Sequence, residues 1–212
     1  IINPLTFPDV GFLALVNSTN VYVEKLNITN NGAGVILAYT NSSTIKDVTV
    51  IENEYGIFLY KSSGNNLSRN KIERNNYGIS NWYSSNTIYA NTISENAYGI
   101  TLSYSSGCNL SLNNIVNNWY GIRLVISSNN LIYGNNISST GIYRIYSRGV
   151  SLENSHNNLI FHNNFLGNWY QVFSASINIW DNGYPSGGNY WSDYAGVDLY
   201  SGPYQNETGS DG

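Results

Sequence analysis

The sequence repeats one tripeptide as Tyr55-Gly56-Ile57, Tyr77-Gly78-Ile79, Tyr98-Gly99-Ile100 and Tyr120-Gly121-Ile122. Weaker copies of this segment are Gly11-Phe12, Gly34-Val35, Gly149-Val150 and Gln171-Val172. Counted from the glycine or its equivalent, the successive steps are 23, 22, 22, 21, 22, 28 and 22 residues. About six extra residues around Ser138 to Ser147 explain the single long step. A repeat of about 22 residues therefore organises most of the chain.

Apolar residues occupy fixed positions in each repeat, and the residues between them are polar. The position after the glycine carries Val or Ile, and the position three after it carries mainly Leu. This alternation is typical of short, half-buried strands. The sequence predicts an all-β fold, a single-stranded, right-handed parallel β-helix. Roughly seven or eight coils would form a rod about 35 Å long. A leucine-rich repeat shares the period, but its Leu pattern is missing.

Asparagine recurs at two positions of the repeat, where its amide can bond the amide of the next coil, as in stacked Asn ladders. In the first two repeats one of these positions carries Leu26 and Val48, so we expect it to point inward. Three positions before the glycine stand Asn31, Asn53, Asn75, Asn96, Asn118 and Asn168. Eight positions before it, allowing for the extra residues, stand Asn70, Asn91, Asn113, Asn135 and Asn163.

Charged residues alternate in sign along columns of the repeat. They are Lys25, Asp47 and Arg69 nine positions before the glycine, and Glu52, Arg74 and Glu95 four positions before it. Opposite charges that face each other on neighbouring strands are favourable by about 0.2–1 kcal/mol. The charge columns therefore support the same register as the glycines.

The repeat pattern stops near Ser176, and the remaining residues combine Trp and Tyr with Gly, Pro and Asp. Because the last coil of a solenoid exposes an unpaired edge and an open core, a terminal cap is expected. We therefore expect a parallel β-helix in residues 1–176 and a loop-rich cap, aromatic and Gly-rich, in residues 177–212.

Composition limits the partners of the chain. Only 10% of its 212 residues are charged, and the formal net charge is −4. Nine Lys and Arg residues spread over the whole length cannot supply a nucleic-acid-binding surface. No apolar run reaches membrane-spanning length. The single cysteine, Cys108, excludes an internal disulfide and any multi-Cys metal site.

The repeated Asn-Asn-Leu, Asn-x-Ile and Asn-x-Tyr-Gly-Ile segments resemble the parallel β-helix repeats of the NosD-like family, which are also described as carbohydrate-binding and sugar-hydrolase repeats. The segment from Trp180-Asp181-Asn182 to Ser192-Asp193-Tyr194 is similar to a module that follows such repeats in archaeal surface proteins. The resemblance implies a secreted or envelope-anchored archaeal protein, usually large and multidomain. It does not fix an activity.

Enzymatic readings receive little support from the residues. Sugar-cleaving β-helices use pairs of carboxylates. Most acids of the coils fall in the charge columns and have a structural explanation. The carboxylate of Glu52 could still approach that of Glu73 or Glu95. The family name suggests copper, which prefers His, Cys and Met. Met is absent, and Cys108, His156 and His162 are scattered along the sequence.

A tyrosine column precedes the glycines and is the candidate binding surface. Its exposed rings could stack on sugar rings or pack on another protein; alternatively they stack on each other and stabilise the solenoid. The residues assigned to this carbohydrate-binding or assembly surface are Tyr55, Tyr77, Tyr98, Tyr120, Trp119, Tyr170 and Trp169.

Two further kinds of site are suggested by the residue types. Oxygen-rich loops with Gly are what calcium sites use, although Asp residues in turns give the same pattern. The candidate calcium ligands of the cap are Asp181, Asp193, Asp198 and Asp211. Asn-x-Ser/Thr sequons, whose number is close to the chance expectation, start at Asn17, Asn27, Asn41, Asn66, Asn109, Asn136 and Asn206.

Two functions from different classes fit this sequence. The first is an extracellular, non-enzymatic module with a structural or adhesive role in an archaeal surface layer, sheath or filament. Its partners would be copies of itself or other envelope proteins. The alternative is a polysaccharide-binding or polysaccharide-processing β-helix of the glycosidase or lyase kind.

Overall fold

The computed structural model describes residues 1–6, 10–139, 145–196, 200–201 and 207–208. These residues form a right-handed parallel β-solenoid of about eight coils with about 22 residues per turn. Each coil contributes one short strand to each of three parallel sheets, and the described residues contain no helix. The predicted fold class is therefore confirmed.

The first sheet follows the Tyr-Gly-Ile segments and has the longest strands, mostly of six residues. Its strands, in spatial order, are β1 (Leu13–Val16), β4 (Ala33–Ala38), β7 (Tyr55–Tyr60), β10 (Tyr77–Trp82), β13 (Tyr98–Ser103), β16 (Tyr120–Val125), β19 (Arg148–Glu153) and β22 (Tyr170–Ser174).

The other two parallel sheets consist of shorter strands. The second sheet contains β2 (Tyr22–Glu24), β5 (Thr44–Lys46), β8 (Asn66–Ser68), β11 (Thr87–Tyr89), β14 (Asn109–Ser111), β17 (Leu131–Tyr133) and β20 (Leu159–Phe161). The third contains β3 (Asn27–Thr29), β6 (Thr49–Ile51), β9 (Lys71–Glu73), β12 (Thr92–Ser94), β15 (Asn114–Val116), β18 (Asn136–Ser138), β21 (Asn164–Leu166) and β23 (Tyr190–Trp191). A separate antiparallel pair joins β24 (Tyr200–Ser201) to β25 (Glu207–Thr208).

The register follows the sequence repeat from the second coil onward. Ile57 pairs with Ile79, and Ile79 pairs with Ile100. The first weak copy is wrong by one residue: Leu13, not Phe12, pairs with Val35. The predicted register was wrong here because the first copy has no Tyr or Asn at the marker positions, so the alignment depended on Gly11 alone.

The glycine column is a steric requirement of coil stacking. A Cβ atom added at Gly56, Gly78, Gly99 or Gly121 would lie 2.5–2.6 Å from the carbonyl oxygen of the glycine equivalent in the next coil. Real Cβ atoms do not approach an oxygen that closely, so every larger side chain is excluded. The glycines therefore lie in a single file, as the repeat predicts.

The core is a stack of aliphatic side chains with buried amide ladders beside it. Ile57, Ile79 and Ile100 are fully buried, and both predicted Asn columns point inward. In the ladders, the side-chain oxygen of one Asn accepts the backbone N–H of the Asn one coil before it, for example Asn75 to Asn96 at 2.8 Å. Leu26 and Val48 are buried at the start of one column, as expected.

The long repeat step is accommodated without loss of register. Tyr120 pairs with Arg148 and Ile137 with Phe165, across 28 residues of chain. The extra residues lie between β18 and β19, at the passage from the third sheet to the first. Sheet and ladder geometry on both sides of this passage is continuous.

The residues after β22 continue two of the three sheets. Ile179 forms a bridge with Leu159 of the second sheet, and Trp191 of β23 stacks on Phe165 at 4.5 Å between ring centroids. The domain boundary at residue 176 stays a prediction, but the segment after it closes part of the solenoid end. Among the described residues, only the first sheet ends without such an extension.

Candidate functional site

The tyrosine column lies on the outer face of the first sheet, at the start of its strands. The rings of Tyr55, Tyr77, Tyr98 and Tyr120 are half-buried and stack in sequence, with centroid distances of 4.9, 4.7 and 5.1 Å. Arg148 takes the next place in the column, 5.2 Å from the Tyr120 ring. The ring faces are therefore used within the column, and mainly ring edges reach solvent.

Trp119, Trp169 and Tyr170, which belong to the same predicted surface, behave differently. They are 47%, 51% and 44% exposed, and their nearest aromatic neighbours are tilted or perpendicular rather than stacked. The predicted surface therefore has two parts: a self-stacked tyrosine column, and open rings, of which Trp119 lies beside Tyr120 while Trp169 and Tyr170 lie in the last coil of the first sheet.

A cleft of about 860 Å³ lies over the last strand of the first sheet. It combines aromatic walls with polar side chains, and it was not foreseen from the sequence because its walls come from segments about 20 residues apart. Its lining is Trp169, Tyr170, Gln171, Val172, Ser174, Ser176, Trp180, Trp191, Asp193 and Tyr194. We name it the end cleft.

Most acids of the coils form ion pairs, either between coils or within one coil. Arg69 binds Asp47 of the preceding coil with two hydrogen bonds, at 2.9 and 2.7 Å. Arg74 bonds Glu52 at 3.0 Å and also contacts Glu73. Because Arg74 lies between these two carboxylates, it neutralises the pairing of Glu52 with Glu73, one of the two pairings that the sequence left open.

The Asp47–Arg69 pair predicts a pH-dependent part of the stability. Hydrogen bonds from Arg69 hold the pKa of the Asp47 carboxyl below its ordinary value. The pair's contribution is therefore complete above the unfolded pKa, about 3.9, and is lost as the pH falls through the lower folded pKa. We expect Asp47→Asn to lower the free energy of unfolding slightly at pH 6, and by less and less as the pH falls below the unfolded pKa, measured by urea unfolding.

The control for this measurement is Glu54→Gln, which removes an exposed carboxylate whose partner is the neutral Asn76. Its effect should be smaller than that of Asp47→Asn at pH 6. A difference between wild type and Asp47→Asn that grows toward low pH would contradict the sign.

Cys108 stands in a third amide ladder that the sequence analysis missed. The other members are Asn65, Asn86, Asn130, Asn158 and Asn178. Asn65 donates its side-chain N–H to Asn86 Oδ1 at 3.0 Å. Asn86 cannot donate to an amide oxygen of the next coil in the same way, because Cys108 takes the ladder position there. Asn81, buried in the core where other coils place Leu, supplies the replacement oxygen at 2.7 Å.

Burial raises the pKa of the Cys108 thiol to about 11. Only about one thiol in a thousand would be ionised at pH 8, and the side chain is 1% exposed. We expect iodoacetamide to leave Cys108 unmodified in the native protein and to alkylate it completely in denaturing guanidinium, as measured by mass spectrometry. Rapid alkylation of the folded protein would show that this coil opens.

The remaining candidate ligands are dispersed. Within the described ranges, no group of three or more His, Cys, Asp or Glu residues gathers as a metal site would. Asp181 Oδ1 accepts the Gly183 N–H at 2.8 Å in a turn, and Asp193 is exposed. Asp198 and Asp211 lie outside the described residues, so the calcium site stays a prediction.

The sequons occupy different environments. Asn206 lies outside the described residues. Asn109 and Asn136 are half-buried, whereas the remaining four are exposed: Asn17, Asn27, Asn41 and Asn66. The exposed amides are accessible to modification, and their occupancy stays a prediction. The part of the chain that the structure describes contains no helix suited to crossing a membrane.

Two solved structures provide comparisons. The A-module of the mannuronan C-5 epimerase AlgE6 from Azotobacter vinelandii is 13% identical, with a TM-score of 0.39; the match covers 84% of this chain. The chain spans 57% of that module's length. The trypsin-treated fluoroquinolone resistance protein QnrB1 is 14% identical over 68% of this chain and 81% of its own, with a TM-score of 0.23. Similarity at this level supports no functional conclusion.

No curated protein matches the chain. One family model, described as "Periplasmic copper-binding protein (NosD)", matches residues 6–98 and again residues 82–196. The two overlapping matches cover most of the solenoid and part of the segment after it, and the Tyr-Gly-Ile coils lie inside them. The chain therefore belongs to the NosD family.

Proposed function

We propose that this chain is an extracellular, non-enzymatic structural module, a rigid rod that packs or adheres within an archaeal surface layer, sheath or filament. The observation that carries the proposal is that most carboxylates of the coils are engaged in ion pairs. Asp47, Glu52, Glu73 and Glu153 each lie 3.0 Å or less from a Lys or Arg nitrogen. The buried amides are likewise committed to the ladders.

The family description names copper, and the described residues of this chain do not fit it. Copper sites use His, Cys and Met ligands. The chain has no Met, and the Cys108 thiol is buried in an amide ladder. The two histidines bond different partners: His156 accepts the Ile177 N–H at 3.3 Å, and His162 contacts Ser186. No step of the proposed function involves copper.

The envelope location is supported by the word "periplasmic" in the family description. Surface properties support assembly: charged residues are few, and exposed rings line the first sheet and its corner. Tyr104, for example, is 47% exposed and stacks on Tyr83 at 4.9 Å. A ring-rich face with few charged residues suits side-by-side packing of rods.

Self-association tests the proposal directly. We expect the purified protein to form oligomers or filaments with rising concentration, seen by sedimentation velocity and negative-stain electron microscopy. The double variant Trp119→Ala with Tyr104→Ser should associate at least tenfold more weakly. Ser63→Ala, an exposed polar substitution, is the control and should associate like wild type.

Two outcomes would contradict the structural proposal. The first is a protein that stays monomeric at all concentrations and binds no envelope protein. The second is turnover of an envelope polysaccharide that Glu52→Gln or Glu73→Gln abolishes.

A second candidate function is polysaccharide binding. The end cleft favours it, because open aromatic rings and polar side chains meet there in one concave site.

A further inference from the structure

The end cleft occupies the place where one more strand of the first sheet would lie. The second and third sheets continue past their last full coil, through Ile179 and β23, whereas β22 is the last described strand of the first sheet. The outer edge of β22 therefore presents backbone N–H and C=O groups toward the cleft.

Gln171 makes this edge unsuitable for another strand. It takes the position of the glycine column, where a Cβ at Gly149 would lie 2.5 Å from the Gln171 carbonyl oxygen. A further strand stacked in the same way would place its own carbonyl equally close to the Gln171 side chain. A β-strand of a second copy would therefore fit poorly against β22, and a ligand of the end cleft would be a different kind of molecule.

Gln171 is instead fixed as part of the cleft floor. Its Oε1 accepts the Asn168 side-chain N–H at 2.8 Å, and its Nε2 donates to Ser192 Oγ at 3.1 Å. It is 7% exposed. A buried amide held at both ends is a pre-positioned hydrogen-bonding group, the kind of polar anchor that small-molecule sites use.

The rings around the cleft are more available than those of the tyrosine column. Trp169 is 51% exposed and Tyr194 is 72% exposed. The Trp180 and Trp191 rings are tilted by 55° with centroids 6.0 Å apart, so they form an angled wall rather than a closed stack. Aromatic faces beside hydroxyl and amide groups match a sugar, which has apolar C–H faces and a rim of hydroxyls.

The charge of the lining selects among sugars. Among the described residues of the lining, Asp193 is the one carboxylate and none is Lys or Arg. A carboxylate accepts hydrogen bonds from hydroxyls, but it repels an anionic ligand. The cleft volume of about 860 Å³ lies within the roughly 300–1,000 Å³ range of small-molecule pockets.

We propose that the end cleft binds a short segment of a neutral oligosaccharide and discriminates against uronic-acid polymers. Trp169 and Tyr194 pack on the sugar faces, Asp193 accepts hydroxyl hydrogen bonds, and the β22 edge supplies further donors and acceptors. This inference rests on the second candidate function, polysaccharide binding at the end cleft, and does not depend on self-assembly of the rod.

The test is binding of cellotriose, mannotriose and triacetylchitotriose, compared with trigalacturonate, by titration calorimetry and tryptophan fluorescence. We expect at least one neutral trisaccharide to bind and trigalacturonate not to bind. Trp169→Ala should weaken binding at least tenfold. Trp119→Ala is the matched control. Trp119 takes the position equivalent to Trp169 two coils earlier and is 47% exposed, but it lies outside the cleft.

Two further variants keep the proposal falsifiable if one substitution damages the fold. Asp193→Asn and Tyr194→Ala alter exposed side chains, and each should weaken binding while the unfolding midpoint stays unchanged. Absence of binding of all neutral sugars to the full chain would overturn the proposal. Tighter binding of trigalacturonate than of neutral sugars would overturn it too, and neither result bears on self-association.

Discussion

Gly78→Ala is expected to lower the free energy of unfolding by about 3 kcal/mol or more, or to prevent folding. The added Cβ would lie 2.6 Å from the Gly99 carbonyl oxygen and 3.1 Å from the Ile93 side chain. The oxygen belongs to the backbone of the next coil, so it cannot move without disturbing the first sheet. Urea unfolding followed by circular dichroism measures the loss; if the variant does not fold, its soluble yield and protease resistance measure it.

Gly32→Ala is the matched control for this prediction. Gly32 is also a coil glycine, but a Cβ there meets nothing within 4 Å. Its unfolding free energy should stay within about 0.5 kcal/mol of wild type. Equal stability of Gly78→Ala and Gly32→Ala would refute the steric account of the glycine column.

Asn96→Ala is expected to have an effect of similar size, for a different reason. Asn96 Oδ1 accepts both the backbone and the side-chain N–H of Asn75, at 2.8 and 3.0 Å. Its Nδ2 donates to the carbonyl of Ser94 and to Asn118 Oδ1, at 2.9 and 3.0 Å. Each buried group left without a partner costs about 1–3 kcal/mol, so we expect a loss of about 3 kcal/mol or more in urea unfolding.

The control for Asn96→Ala is the same substitution at an asparagine outside the ladders. Asn76→Ala removes an exposed Asn whose side chain donates only to Glu54 at 2.8 Å. Its cost should be below about 1 kcal/mol, as for surface polar contacts. If the two substitutions cost the same, the ladder is not a special source of stability.

The fold could be predicted from sequence because each coil repeats the same demands. A position that only glycine can occupy, such as Gly99, recurs in most coils, and the same holds for Asn96 and Ile100. Repetition makes a weak preference visible as a column. The first coil lacked these markers, and its register was therefore read one residue early.

The site was less predictable, because it depends on departures from the repeat. The third ladder was hidden by Cys108, whose missing amide is compensated by Asn81 from the preceding coil. Its members, with Cys108 included, are spaced by 20 to 28 residues, and this spacing was the signal that could have revealed it. The stacking of the tyrosine rings depends on side-chain rotamers, which periodicity does not specify. The end cleft depends on how the segment after β22 folds back, and no repeat describes that segment.

The passage between β18 and β19 has a practical consequence for engineering. The chain carries its extra residues there, while Asn135 still bonds Asn163 at 3.0 Å across 28 residues. Coil-to-coil contacts therefore tolerate added length at this corner. We therefore expect a foreign peptide epitope inserted into the connection between β18 and β19 to leave the pairing of the flanking strands intact.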